Sequence, residues 1–347
     1  MTANANANNV RAILHHPRRG DTLNILTATT HERYEANMAK TGHNFYALNV
    51  PGQKQWDTDY APIPENYHII DNIPDHLRID LILSHTSCNR LPMLHNVIAE
   101  STIPSLDRTA VPVIRHTHVL PDIRMDIPSQ LQGFNSIRVD LNCFISKYNA
   151  ESWGMSNNTA MIVLEHGVDT EFWHPVTTKE RKNVALSVVN DWPNRDWCCG
   201  FNLWRDTTHG LPVQVYGKSP GFSFPAHSTE HLREIYSDHS IFYNTSLHSP
   251  VPTVLMEAMA CGCAIVSTAN CMIPEIIEHG YNGMLSNDPK QLRTHLEYLM
   301  ANPDRARELG DNARKTIEEK FSIERFVNSW NNVFFEAITN KKNGVKV

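Results

Sequence analysis

Glu257 lies where the sequence predicts a helix built to hold an anionic ligand. The helix is predicted over residues 253–260, with Pro252 and Thr253 at its start. The free backbone amides of Thr253 and Val254, together with the helix dipole, suit a diphosphate. Glu257 follows one turn later, where its carboxylate could accept hydrogen bonds from two ribose hydroxyls. The spacing therefore predicts a nucleoside diphosphate site at this helix.

The elements around this helix predict an α/β protein with parallel sheets. Gly262 marks the helix end, residues 264–267 (AIVS) read as a buried strand, and Pro274 and Glu275 start another short helix. Strand and helix alternate in the same way along the rest of the chain, which predicts doubly wound units. The other predicted strands are residues 23–28, 43–50, 80–84, 111–114, 141–146, 161–164, 184–189, 213–216 and 240–243. The other predicted helices are residues 29–40, 91–100, 200–208, 231–238, 291–300, 305–320 and 323–338.

The segment PTVLMEAMACGCAIVST, followed by MIPEIIEHGYNG, resembles the signature of the family 4 glycosyltransferases, retaining enzymes of the GT-B fold. Glu257 matches the second glutamate of that signature. Eight positions earlier the family has another glutamate, which touches the transferred sugar, and here Ser249 stands in its place. We expect Ser249 or His248 to take over that contact. The resemblance implies two Rossmann-like doubly wound domains that face a central cleft.

A second segment, EHGVDTEFWHP at residues 165–175, resembles the family's GVD segment, which closes the N-terminal domain. It lies about 90 residues before Glu257, as the family pattern requires. We therefore expect a disordered N-terminus at residues 1–10 and an acceptor domain at 11–178. A nucleotide-sugar domain at 179–322 follows, and then a helix at 323–340 that crosses back to the N-terminal domain.

The resemblance also implies donor-binding residues at the start of the second domain. The family has an arginine and, five residues later, a lysine on the donor diphosphate; here Asn190 and Arg195 stand at these positions. One cation is lost and one is kept, and a guanidinium suits phosphate oxygens. Gly217 matches the family's glycine near the nucleotide, and Lys218 could supply the missing charge.

A histidine near the reacting sugar is also implied, after the strand predicted at residues 111–114. By its spacing from Pro112, His118 matches best and His116 second. We expect His118, Arg195 and Glu257 to be the catalytic residues of a sugar transfer. The resemblance implies a nucleoside diphosphate sugar as the donor, with uridine or guanosine ahead of adenosine, and no requirement for a metal.

Composition limits the class of protein. The 347 residues carry a net charge of −6, and neither residues 1–175 nor the remainder is basic. This negative charge does not favour non-specific binding to nucleic acids or membranes. Seven cysteines without a metal-ligand spacing, and no apolar run near 18 residues, predict a cytoplasmic protein with reduced thiols and no transmembrane segment. The pair Asp57 and Asp59 lies in a polar loop and is a chance match to a metal-binding Asp-x-Asp.

The acceptor and the oligomeric state stay open. A saccharide or glycoconjugate acceptor is expected first. A phage-type enzyme that glycosylates 5-hydroxymethylated cytosine in DNA is the alternative, for which Arg11, Arg18 and Arg19 form a small basic cluster. A non-catalytic sugar-nucleotide-binding protein is an alternative of another class, because Ser249 and Asn190 replace two family residues. A sugar-nucleotide epimerase would need a carboxylate acid/base pair, which the sequence does not place.

Overall fold

Two parallel β-sheets form the frame of the protein. The computed structural model describes residues 17–49, 55–86, 111–155, 161–176 and 180–344. The first sheet has seven strands in the order β3-β2-β1-β4-β5-β6-β7 and the second has five in the order β12-β11-β10-β8-β9. The strands of the first sheet are β1 (Asn24–Thr27), β2 (Asn44–Leu48), β3 (Tyr67–Ile70), β4 (Leu81–Thr86), β5 (Val113–Thr117), β6 (Leu141–Phe144) and β7 (Met161–Val163). Those of the second are β8 (Lys182–Val188), β9 (Val213–Tyr216), β10 (His239–Asn244), β11 (Ala264–Ser267) and β12 (Gly283–Leu285).

Helices cover the faces of these sheets, which confirms the doubly wound α/β class. In the first half they are α1 (Glu32–Ala39), α2 (Ile127–Ser136) and α3 (Lys147–Ser152). In the second half they are α4 (Asp196–Cys199), α5 (Phe201–Thr208), α6 (Thr229–Asp238), α7 (Thr253–Ala260), α8 (Ile273–Ile276), α9 (Pro289–Ala301), α10 (Pro303–Lys320) and α11 (Ile323–Lys342). None of these helices is long and apolar enough to cross a membrane.

The strand orders fix where a ligand crevice lies. In the first sheet the order reverses between β1 and β4, and in the second between β8 and β10. Loops at the carboxyl ends of strands on either side of such a reversal diverge and leave a crevice. The loop from β1 into α1 and the loop from β10 into α7 both leave these points. The fold therefore brings α1 and α7 to opposite walls of one cleft.

Helix α11 packs against the first sheet although it follows the second in the chain. Its buried residues Phe326, Trp330 and Phe334 belong to the same apolar cluster as Leu23 and Ile25. The linker is fixed to the start of this helix, because the guanidinium of Arg325 donates to the carboxylate and the carbonyl of Glu165 and to the carbonyl of His166. A single helix thus ties the second half of the chain to the first sheet.

Several predicted elements differ from the structure. The predicted strand 111–114 is displaced: β5 runs through Arg115, His116 and Thr117, which are buried. The predicted helix 200–208 starts one residue later, because Gly200 adopts a left-handed φ of 64° between α4 and α5. Strand β3 and helix α2 were not predicted. The predicted helix at residues 91–100 lies outside the described residues.

Candidate functional site

The cleft between the two sheets contains a pocket formed by both halves of the chain. Helix α1 and the linker line one wall and helix α7 lines the other. The lining residues are Arg33, Tyr34, Asn37, His166, Gly167, Val168, Asp169, Trp173, Thr253, Met256 and Glu257. Glu257 and Thr253 are the two residues in this pocket that the sequence predicted for donor binding.

Helix α7 holds Glu257 in a buried position. The helix ends in a Schellman motif: the amides of Gly262 and Cys263 donate to the carbonyls of Met259 and Ala258 at 2.9 and 3.0 Å. Its apolar residues fill the core of the second half, so that Glu257 is only 5% exposed. A carboxylate this buried needs partners.

Two side chains satisfy that carboxylate. The guanidinium of Arg33 donates from Nη1 to Oε1 of Glu257 at 2.7 Å, and the hydroxyl of Tyr236 donates to Oε2 at 3.2 Å. Arg33 comes from the first turn of α1, in the opposite half of the chain. The carboxylate of Glu257 raises the pKa of Arg33 above its usual value. Neither Arg33 nor Tyr236 was predicted, because no local pattern links Glu257 to residues 224 and 21 positions away.

Asn190, Arg195, Gly217 and Lys218 lie together at the carboxyl ends of β8 and β9. Oδ1 of Asn190 accepts a hydrogen bond from the backbone amide of Lys218 at 2.8 Å, and Nη1 of Arg195 approaches the carbonyl of Asn190 at 3.4 Å. The side chains of Arg195 and Lys218 are exposed. The asparagine that stands at the family's arginine position therefore holds two loops together, while two cations remain at the rim.

The local backbone geometry requires a glycine at position 217. Its φ is 129°, and a Cβ at this position would lie 2.0 Å from the carbonyl oxygen of Val189. Only glycine adopts this backbone and allows the two loops to approach so closely. Its amide donates to the carbonyl of Phe224 at 2.9 Å. Gly217 thus sets the position of Lys218.

The loop between β1 and α1 contains no glycine. Instead, Oε1 of Glu35 accepts hydrogen bonds from the amides of Thr30 and His31 at 2.5 and 2.9 Å, and its Oε2 accepts one from the hydroxyl of Tyr67. Burial raises the pKa of Glu35, against the effect of these hydrogen bonds. The carboxylate of Glu35 fixes the loop, and Arg33 lies just after the loop in the first turn of α1.

His118 lies at the end of β5, beside a cluster of aromatic rings. The ring of Tyr34 stacks on His116 and His118 at centroid distances of 4.9 and 6.0 Å, and His166 meets Tyr34 edge-on at 5.1 Å. His116 is fully buried within the strand, while His118 is half-buried after it. Burial lowers the pKa of His85 to about 4 and that of His166 to about 3. The imidazoles of His85 and His166 are therefore neutral near pH 7.

Ser249 and His248 lie in the loop between β10 and α7, and both are half-buried. Nε2 of His248 lies 2.9 Å from the carbonyl oxygen of Pro121, in the first half of the chain. Nearby, the guanidinium of Arg124 stacks over the ring of Trp197 at 3.9 Å. The loop that carries Ser249 is therefore in contact with the opposite wall of the cleft.

The linker segment GVD has a clear structural role. The carbonyl of Gly167 accepts a hydrogen bond from Nδ2 of Asn37 at 3.1 Å, and the carboxylate of Asp169 forms an ion pair with Lys40. Asp169 also accepts a hydrogen bond from the amide of Phe172 at 3.1 Å. These contacts join the linker to the same helix that carries Arg33.

The remaining candidate metal ligands and the thiols have ordinary structural surroundings. Within the described ranges, no group of three or more His, Cys, Asp or Glu side chains is arranged to hold a metal ion. Oδ1 of Asp57 accepts a hydrogen bond from the backbone amide of Asp59 at 3.0 Å, as in a polar turn. The six cysteines of the described part of the chain are free thiols.

Comparison with known proteins adds three kinds of similarity. The family model for glycosyl transferases group 1 matches residues 212–316. The alpha-maltose-1-phosphate synthase of Mycolicibacterium smegmatis is 37% identical over 102 residues, which are 27% of this chain and 26% of that protein. The N-acetyl-alpha-D-glucosaminyl L-malate synthase of Bacillus anthracis is 32% identical over 93 residues, 26% of this chain and 24% of that protein. The chain thus matches about a quarter of the length of these two relatives.

A longer match and two solved structures cover nearly the whole chain. An uncharacterized glycosyltransferase of Methanocaldococcus jannaschii is 34% identical over 331 residues, 88% of each chain. Sucrose-phosphate synthase from Thermosynechococcus elongatus has a TM-score of 0.72 at 14% identity and covers 91% of this chain and 99% of its own. Anabaena HepE in complex with UDP has a TM-score of 0.70 at 13% identity, with coverage of 91% and 100%. These matches confirm the resemblance of the Glu257 segment: the chain belongs to the group 1 glycosyltransferases and has the GT-B fold.

Proposed function

We propose that the protein transfers a sugar from a nucleoside diphosphate sugar to an acceptor hydroxyl, with retention of the anomeric configuration. The main support for this proposal is the position of Glu257, whose carboxylate is buried at the cleft one helical turn from the start of α7. In this proposal its oxygens accept hydrogen bonds from two ribose hydroxyls of the donor. Arg33, the present partner, is replaced by the ribose when the donor binds.

The difficult part of the reaction is the departure of the diphosphate, which gains negative charge as the glycosidic bond breaks. The amides of Thr253 and Val254 and the dipole of α7 would stabilise that charge, and Arg195 and Lys218 would reach it from the rim. These groups supply the stabilisation without a metal ion. We therefore expect the reaction to proceed in the presence of a chelator.

A uridine or guanosine diphosphate sugar is the proposed donor, ahead of an adenosine one. Among proteins of similar fold, Anabaena HepE has been solved with UDP and with UDP-glucose, which supports uridine. No general base is assigned for the acceptor, because in a retaining transfer the leaving oxygen and the acceptor can meet on one face of the sugar. His118 would line the transferred sugar, and Ser249 or His248 would contact it from the other side.

A saccharide or glycoconjugate acceptor fits the wall that the first half of the chain presents. Tyr34, Asn37 and His166 line the cleft there and offer an aromatic edge, an amide and an imidazole. Neutral hydrogen-bonding groups beside an aromatic ring suit sugar hydroxyls and C–H faces.

The experiment is a measurement of nucleoside diphosphate release from a panel of UDP-, GDP- and ADP-sugars. Each donor is incubated alone, with mixed oligosaccharides, and with DNA that contains hydroxymethylcytosine, in buffer with EDTA. Release that rises only with oligosaccharides is the expected result, and the anomeric configuration of the product then tests retention. Release that rises only with the DNA would support the phage-type alternative. Thermal stabilisation by UDP or GDP without any release would favour a binding protein.

A further inference from the structure

The carboxylate that the proposed function gives to the donor ribose is already occupied by a cation. Nη1 of Arg33 lies 2.7 Å from Oε1 of Glu257, while Nε of Arg33 is 3.4 Å from the carbonyl oxygen of Tyr60. The side chain of Arg33 is 26% exposed and that of Glu257 7%. The guanidinium therefore shields the carboxylate on the side of the cleft. Ribose hydroxyls can reach Glu257 only if Arg33 moves.

The structure offers the guanidinium a second position within reach. Thr253 and Glu257 line the same pocket as Arg33 and are one turn apart on α7. Four residues of an α-helix rise by about 6 Å. The exchange requires a change of side-chain rotamer in Arg33 that covers this distance. At the start of α7 the guanidinium would meet the phosphates of a bound donor.

The charge balance of the donor site favours this second position. A nucleoside diphosphate sugar carries two negative charges on its phosphates. On the side of the second sheet, Asn190 is neutral and its Oδ1 is used to hold the amide of Lys218. Arg195 and Lys218 reach the diphosphate only from the exposed rim, so a guanidinium delivered from α1 would add a cation inside the pocket, with the planar geometry that suits phosphate oxygens.

We propose that Arg33 is a donor-binding residue that exchanges partners: the ribose displaces it from Glu257, and its guanidinium then binds the donor diphosphate. This inference rests on the proposed function. It makes Glu257 the partner of Arg33 in the empty enzyme and of the ribose in the loaded one. Because Arg33 belongs to the first half of the chain, its contact with the diphosphate would also hold the two walls of the cleft together around the donor.

The exchange predicts opposite effects on two ligands. A nucleoside has the ribose but no phosphate, so it must displace Arg33 and gains nothing in return. A nucleoside diphosphate recovers the guanidinium through its phosphates. In Arg33→Ala the nucleoside should bind as well as in the wild type or better, whereas the nucleoside diphosphate should bind roughly ten- to a hundredfold more weakly, as the loss of a charge-assisted contact implies.

The test is calorimetric titration of the full chain with uridine and UDP, guanosine and GDP, and adenosine and ADP. The pair with the tightest diphosphate binding to the wild type is then measured with Arg33→Ala, Arg33→Lys and Glu257→Gln. Lys40→Ala is the matched control, because it removes another ion pair next to α1 without touching Glu257. Thermal melting of each variant establishes that it is folded. Arg33→Lys should restore part of the diphosphate affinity.

The outcomes separate the inference from the proposed function. If Arg33→Ala weakens nucleoside and diphosphate binding equally, or changes neither, while Glu257→Gln weakens both, the exchange is wrong and the ribose site stands. If Glu257→Gln changes neither, the ribose assignment itself is wrong. Failure of the wild type to bind all three diphosphates would contradict both. A selective loss of diphosphate binding in Arg33→Ala, with Lys40→Ala close to the wild type, would support the exchange.

Discussion

Charged and titratable side chains are buried on both walls of the cleft. Glu257 and Glu35 are 5% and 1% exposed, and each has its partners supplied by other elements. Burial of a charge is unfavourable unless it is paired and hydrogen-bonded. In the proposed function, the contact with Arg33 is the one that a bound donor replaces.

The buried histidines predict how stability depends on pH. Burial lowers the pKa of His85 to about 4, whereas histidines in the unfolded chain titrate near their ordinary value of about 6.5. Below that value the unfolded state binds more protons, so acidification lowers the free energy of unfolding. This loss develops as the pH falls from about 6.5 to about 4, at up to about 1.4 kcal/mol per pH unit for each such histidine.

His85→Asn removes one of these titrating groups. We expect the stability difference between wild type and variant to shrink by about 1 kcal/mol per pH unit as the pH falls through this window. Urea unfolding of both proteins at several pH values measures it. A difference that stays constant with pH would show that His85 does not titrate on unfolding.

Single residues also show what a sequence can and cannot predict. The position of Glu257 was predictable because proline, glycine and the apolar residues of α7 are local signals. Arg115 and His116 were placed outside a strand because they are polar. In the structure Arg115 donates to Oδ1 of Asn142 at 2.7 Å and to the carbonyl of Phe134 at 2.6 Å. These partners are distant in the sequence, as Arg33 is from Glu257, so no local pattern reveals them.

At the scale of elements, α3 and α8 form a contact between the two halves of the chain. The carboxylate oxygens of Glu275 accept hydrogen bonds from the amides of Lys147 and Tyr148 at 3.1 and 2.8 Å. The next amide of α3, that of Asn149, donates a hydrogen bond to the Oγ of Ser146. The free amides at the start of α3 are thus satisfied partly from the second half of the chain, where a carboxylate also interacts favourably with the helix dipole.

Glu275→Ala should lower the free energy of unfolding by about 0.5–2 kcal/mol, the usual effect of losing a helix cap. Glu278→Ala is the matched control, because it removes a nearby exposed carboxylate that does not cap α3. Urea unfolding of the two variants gives the comparison. Equal stability of both variants would mean that the Glu275 contact contributes nothing measurable.

The element boundaries were predictable to the extent that they rest on capping and on apolar runs. Strand β11 has the predicted bounds, because four buried residues follow a helix that ends at a glycine. Helix α2 was not predicted because its sequence, IPSQLQGFNS, is largely polar and exposed. Asp126, whose side chain accepts a hydrogen bond from the amide of Ser129, followed by Pro128, was a usable signal of its start. Strand β3 is short and completes an edge, so its pairing with β2 rather than its own pattern defines it.

At the scale of the whole molecule, α11 connects the two halves through an apolar core. Trp330 is fully buried there and packs edge-on against His116 at a centroid distance of 5.0 Å. At the far end of the helix, Lys341 forms an ion pair with Asp140 at 2.8 Å. Lys341 and Lys342 are therefore part of α11.

Trp330→Ala should lower the free energy of unfolding by about 3–5 kcal/mol, the usual cost of removing a large buried aromatic side chain. Glu336→Ala, on the exposed face of the same helix, should change it by less than about 0.5 kcal/mol. Denaturant unfolding measures both. A loss below about 1 kcal/mol for Trp330→Ala would contradict the view that α11 is an integral part of the apolar core beside the first sheet.

In the proposed function, Glu257 binds the ribose of a nucleoside diphosphate sugar during transfer. Its most direct test is the steady-state rate of nucleoside diphosphate release by the wild type and by Glu257→Gln, at varied donor concentration, with the acceptor class that the panel identifies. We expect a folded variant whose kcat/KM for the donor is at least about tenfold lower, as the loss of hydrogen bonds to a charged group implies. Unchanged kcat and KM in a folded Glu257→Gln variant would contradict it.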